Sequence, residues 1–166
     1  MPHLLVVFTS ALVVLGARHS FGQDVSRAFC GQDGRAHVMY RQGGVRTPTA
    51  EPKQVGCEHI TAAADGRTIG WSVLVENCCT SYSIPTSVVV YCDGRRTIIS
   101  PGQMVWEWRF IDEGKRVAVL SGPVHGEPTV ASLYDAHSGK TIEMWAGEGT
   151  APNWATEWDH QFPKRH

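Results

Sequence analysis

The 166-residue chain has no block of like charge, almost no helical periodicity and only one apolar stretch approaching membrane length. Each absence removes a class of protein. The apolar stretch, LLVVFTSALVVLGA at 4–17, is shorter than the ~20 residues of a spanning helix. Followed by the polar RHSFG, it reads as the core of a secretory leader. Ser20-Phe21-Gly22 is a small-x-small cleavage site, which puts the mature start at Gln23 and the protein in a secreted or periplasmic location. The opening MPH carries no Lys or Arg, so an uncleaved N-terminal anchor is the alternative. Losing Arg18 from the 15 basic residues leaves 14 against 16 acidic ones. That balance gives no electrostatic footprint for nucleic acid, nor for a membrane after leader removal. Gly-x-Ser-x-Gly, His-Glu-x-x-His and phosphate-loop motifs are missing. So are Cys-x-x-Cys and paired-histidine spacings. No cofactor and no metal are expected.

What remains is a succession of short runs rich in Val, Ile, Trp and Tyr, separated by Gly, Asp and Pro turns. Strands are predicted at 36–40, 57–62, 68–75, 87–92, 96–99, 104–111, 116–120, 130–135 and 141–146. Asp-Gly at 65–66 and 93–94 marks tight turns, where Gly takes a positive φ without a Cβ clash. The pattern repeats. Residues 57–99 read strand, Asp-Gly turn, strand, long loop, strand ending in Tyr91, Asp-Gly turn, strand. Residues 104–145 read likewise, with Gly114 in the place of Gly66 and Tyr134 in the place of Tyr91. The first unit is five residues longer between those markers, and the simplest location for the excess is its long loop, ENCCTSYSIPTS. Residues 31–44 look like part of a third unit, with Tyr40 in the Tyr91 position.

Units reading DGRTIGW then VVVYCDGR, and EGKRVAVL then SLYDAHSGKTIEMW, resemble the TolB-like and WD-repeat-like β-propeller blades of secreted bacterial proteins. The resemblance covers roughly residues 31–146. It implies an all-β fold of antiparallel four-stranded meanders: two blades plus a partial one. A closed propeller uses at least four blades, so a full ring within one chain is not expected. Blades are scaffolds with many functions, and the resemblance carries no catalytic residues. The domain boundaries follow: leader 1–22, β-meander domain 23–146, and a C-terminal tail 147–166 of different composition. In that tail Asn153 is positioned to cap a turn of helix bearing Trp154 and Trp158 at i,i+4 spacing.

The meander places four of the five cysteines. With the first hairpin centred on Asp65-Gly66, Cys57 faces Leu74, and Cys78 and Cys79 follow just beyond Val75 at the same sheet end. A bond between Cys78 and Cys79 is disfavoured. Neighbouring Cα atoms are ~3.8 Å apart, short of the usual ~4.4–6.8 Å. Cys57 is therefore expected to pair with Cys78 or Cys79, and Cys30 with the other. Cys92 is left as a buried, inert thiol.

The remaining candidates gather at that loop end. His125 and Glu127 lie in the equivalent loop of the second unit, PVHGEP. Tyr82 lies in the cysteine loop, and His59 points toward the same end. His59, His125 and Glu127 together would suit acid–base work. Trp106, Trp108 and Phe110 alternate along one strand, which puts three rings on one face as core or as a ligand platform. Trp71 belongs to the same core system. The expected function is a secreted, disulfide-stapled β-sheet module that binds a protein or small ligand or acts as a scaffold. Its sheet edges permit self-association. The alternative is a hydrolase or thiol-redox enzyme at the Cys78-Cys79/His125 end.

Overall fold

The computed structural model describes residues 23–162; the leader expected at 1–22 lies outside them. The described chain is all-β, with three antiparallel sheets, none closed into a barrel. The first holds β1 (Val25–Cys30), β2 (Ala36–Tyr40) and β3 (Val45–Arg46). The second is a meander of β4 (Gln54–Ala62), β5 (Ile69–Val75), β6 (Ile84–Cys92) and β7 (Arg95–Ile99). The third is a meander of β8 (Met104–Ile111), β9 (Arg116–Gly122), β10 (Val130–Asp135) and β11 (Thr141–Trp145). Both predicted four-stranded units are present in their predicted order, with Gly66 and Gly114 at positive φ in the equivalent turns. The five-residue excess is mostly not in the loop. The loops are eight residues (76–83) and seven (123–129), whereas β6 runs eight residues from Ile84 to Tyr91 against five from Val130 to Tyr134.

The sheets stack face to face, so three apolar layers form the core. In the first layer Ala36, Val38 and Tyr40 of β2 pack on Ile69, Trp71, Val73, Val89 and Tyr91 of the second sheet. In the next, Val88, Val90 and Ile99 pack on Val105, Trp108, Val117, Val119 and Tyr134 of the third. In the last, the far face of the third sheet (Ala118, Leu120, Ala131, Leu133, Trp145) packs on Trp154, Ala155, Trp158 and Phe162. This is what period-2 alternation produces when both faces of a central strand are covered. The Tyr40 hydroxyl lies in the first layer, and burial, then its hydrogen bond with Tyr91, pushes it up to about 12.

Among the register shifts of the described strands, those in β4 and β8 move expected site residues away from strict alternation. In β4, His59 and Ile60 stand opposite the single residue Trp71, so Cys57 faces Val73 and not Leu74. His59 takes φ 52° there. In β8, Trp106 is the extra residue between the Val105–Ser121 and Glu107–Leu120 pairs. The bulge turns Trp106 out to 40 % exposure while Trp108 stays at 2 %. The three rings therefore do not share one face. Trp108 is a core residue, its Nε1 donating to Ser72 Oγ at 2.9 Å across the sheet-to-sheet gap, and Phe110 meets it edge-on at 5.4 Å. Trp71 sits in the first layer and not with Trp108.

Trp108 fits only because β5 has a glycine opposite it. A Cβ on Gly70 would clash with the Trp108 ring edge, 2.9 Å from its Cζ3, and stand 3.0 Å from Phe110 Cζ. Gly70→Ala is expected to cost about 1–3 kcal/mol by overpacking, read as a lower denaturant midpoint with unchanged slope. An unchanged midpoint would mean the second and third sheets are not packed this closely.

Candidate functional site

Antiparallel connectivity sends the β1–β2 turn, the β5–β6 loop and the β9–β10 loop to one end, and the Asp-Gly turns to the other. The two ends differ chemically.

At the turn end, a cavity of about 600 Å³ lies between the second and third sheets, bordered by Asp65, Asp93, Asp135, Cys92, Lys115 and His137. Its carboxylates are engaged in the turns themselves. Asp65 accepts from Thr68 Oγ1 (2.6 Å) and from the Thr68 and Arg67 amides (both 2.9 Å). Asp93 pairs with Arg67, and Asp135 Oδ1 accepts from Ser138 N and Oγ, both at 2.7 Å. Burial works to raise Asp65, but the Thr68 and Arg67 hydrogen bonds outweigh it and hold it below 3.8. Asp135 is held down chiefly by the Ser138 hydroxyl. The Cys92 thiol is free, half-buried and pushed up, first by burial. These groups build turns and leave little for a ligand.

Carboxyls whose folded values lie below the unfolded 3.8 stabilise the protein above that pH, and the contribution is lost as pH falls through the folded values. A melting temperature insensitive to these groups from pH 7 to 5, then falling below about pH 4, is the expected result. Asp65→Asn should lower the plateau and flatten the acid limb; an acid limb as steep as wild type would exclude Asp65 as a contributor.

The loop end carries a different set of groups. His37 of β2 lies between Asp33 of the β1–β2 turn and Thr47 after β3. Its Nε2 is 3.0 Å from Asp33 Oδ1 and its Nδ1 2.9 Å from Thr47 Oγ1. Asp33, accepting from Nε2–H, favours the tautomer whose bare Nδ1 accepts a hydrogen bond from the Thr47 hydroxyl. The hydrogen bond from His37 holds the Asp33 carboxyl below its ordinary value. The ring of Phe29 stacks on His37 at 5.3 Å. Arg35 Nη2 fixes the same segment through the Thr47 and Pro48 carbonyls at 3.3 and 3.1 Å.

The disulfide at this end joins Cys30 to Cys57, with Cα atoms 5.7 Å apart. This corrects the expected pairing of Cys57 with the 78–79 pair. Cys30 ends β1, a strand of the sheet packed on β4, and so arrives beside Cys57. Cys78 and Cys79 are both exposed and unbridged, their Sγ atoms 2.7 Å apart.

At this end a cleft of about 810 Å³ lies between the β9–β10 loop and the C-terminal tail. Pro123, Pro128 and Phe162 line it, together with Glu127, Glu148 and Asp159. The loop is folded tightly back on β9. A Cβ on Gly122 would stand 2.9 Å from both Glu127 O and Pro128 Cα, and Thr129 N donates to Ser121 O at 2.9 Å.

No protein-family model matches the chain, and no curated protein matches it. Of the residues expected from sequence, Glu127 lines the cleft. His125 and Tyr82 are exposed on their loops, and Trp106 is exposed on its bulge. His59, His125 and Glu127 do not form a cluster. The His59 ring lies 5.7 Å from Trp108. Among the described residues no group of three His, Cys, Asp or Glu side chains could hold a metal ion. Sequence reading missed Asp33, His37 and Thr47, whose only local signal is the Asp33/His37 spacing across a tight hairpin. It also missed the tail's share of the cleft. No helix among the described residues is long and apolar enough to cross a membrane.

Proposed function

We propose that this is a secreted, disulfide-stapled module of TolB-like or WD-repeat-like blades, and that it binds ligand in the loop-end cleft. The observation that carries the reading is the cleft's composition: Glu127 and Asp159 line it together with Pro123, Pro128 and Phe162. Carboxylates at the rim of an apolar groove suit a cationic head on an apolar stem, as on a Lys or Arg side chain. The Cys30–Cys57 bond supports an oxidising compartment.

The test is titration of the full chain with an oligo-arginine peptide at low salt. Binding should weaken at least tenfold in the Glu127→Gln/Asp159→Asn variant, with its melting temperature unchanged. Equal affinity for a neutral peptide of the same length, or for wild type and variant, would overturn the reading.

The hydrogen-bonded Thr47–His37–Asp33 series supports a second reading, a hydrolase with Thr47 as nucleophile and His37 as general base. It predicts ester hydrolysis that disappears in His37→Ala. Equal rates in wild type and His37→Ala would remove it.

A further inference from the structure

We infer that Cys78 and Cys79 form a reversible vicinal disulfide, making the β5–β6 loop a thiol–disulfide redox site. The inference is independent of the cleft.

Three observations carry it. First, no other cysteine is available to either thiol. Cys30 and Cys57 are bonded to each other, and Cys92 closes β6 at the turn end, half-buried. Second, both thiols are exposed on the loop, so an oxidant reaches them freely. Third, their Sγ atoms are 2.7 Å apart, so about 0.7 Å of further approach reaches a bond length of ~2.05 Å. The sequence argument against this bond rested on Cα spacing alone, and the side chains have already converged. The same spacing explains why the bond would be labile. The two Cα atoms are held at ~3.8 Å by a trans peptide, outside the ordinary disulfide range, and bridges formed outside that range are the more reducible ones.

The reaction partner is a low-molecular-weight disulfide of the glutathione class. The Cys78 thiolate attacks one sulfur of that disulfide, forming a mixed disulfide and releasing one thiol. The Cys79 thiolate then attacks the Cys78 sulfur, closing the ring and releasing the second thiol. Two electrons and two protons pass from the pair to the external disulfide, and excess external thiol reverses both steps. The hydrogen bond to Cys78 pushes the Cys79 thiol up, and the two exposed thiols can exchange the roles of first and second attacker. Ring closure acts on the turn that carries Tyr82, which is 58 % exposed and whose carbonyl accepts from Thr80 Oγ1 at 2.6 Å.

The experiment equilibrates the full chain in glutathione buffers, traps thiols with an alkylating agent and maps them by mass spectrometry. In oxidising buffer the 78–79 peptide should be unalkylated and lighter by two hydrogen atoms. Its oxidised fraction should rise from under one-tenth to over nine-tenths as the ratio of glutathione disulfide to squared glutathione grows about a hundredfold. Cys30–Cys57 should stay intact across that range. Cys79→Ser cannot close the ring and should accumulate one glutathione adduct on Cys78. Two alkylated thiols at 78 and 79 in every buffer, stable double glutathionylation, or linkage between chains would overturn the inference.

Discussion

Replacing Cys30 and Cys57 together by serine is expected to lower stability by about 3–4 kcal/mol, the loop-closure value for residues 27 apart. For a chain of this size that is a fall of roughly 10 °C in melting temperature. The bond joins β1 of the three-stranded sheet to β4 of its neighbour. The opposite end of β1 is held by Val25 N donating to Gly66 O at 2.9 Å. Between these two ties, β2 lays Ala36, Val38 and Tyr40 on the second sheet. Losing one tie should loosen the first sheet before the others. Hydrogen exchange would then show β1–β3 amides losing protection while β8–β10 amides keep theirs. Uniform loss of protection, or a change below about 1 kcal/mol, would mean the bond does not act through this sheet.

The two meanders were legible because their strands are apolar, alternate at period two and are punctuated by Asp-Gly turns. What escaped was short or irregular. β1 is a six-residue strand with only Val25 and Ala28 partly buried, so its sequence VSRAFC gives a weak pattern. Without β1, Cys30 had no position, and the disulfide was assigned to the wrong partners. The bulges at His59–Ile60 and at Trp106 leave no mark on an alternation pattern, yet each shifts the register by one residue. That shift separated Trp106 from Trp108. The candidate site suffered for a different reason. The cleft needs Glu127 from one loop and Asp159 and Phe162 from the tail, and no local signal joins segments thirty residues apart. Asn153 was expected to cap a helical turn. The observed 3-10 turn is Thr156–Gln161 with Ala155 at its start, and Asn153 contributes its carbonyl to Thr156 Oγ1 at 2.9 Å.

Trp158→Ala is expected to cost about 3–5 kcal/mol, the range for emptying a fully buried aromatic site. Trp158 is 1 % exposed, and the guanidinium of Arg109 lies over its ring at 4.6 Å. Arg109 also ties the tail through the Trp154 carbonyl at 2.8 Å and through Glu157. Trp154 Nε1 donates to Glu143 Oε2 at 2.7 Å, and Trp145 meets Phe162 edge-on at 4.5 Å. These contacts place the tail over the outer face of the third sheet. The first two interfaces are sheet on sheet; the third is sheet on tail. The stack can therefore end at the third sheet without leaving Ala118, Leu120, Ala131 and Leu133 in water. Truncation after residue 146 removes Trp154, Ala155, Trp158 and Phe162 and uncovers that face. The truncated chain should bind a hydrophobic dye and self-associate with rising concentration, because an uncovered apolar sheet face seeks a partner. Trp158→Phe, which keeps most of the buried ring, should lose much less than Trp158→Ala. A truncated chain that stays monomeric and as stable as the full one would show that the tail is not the cap.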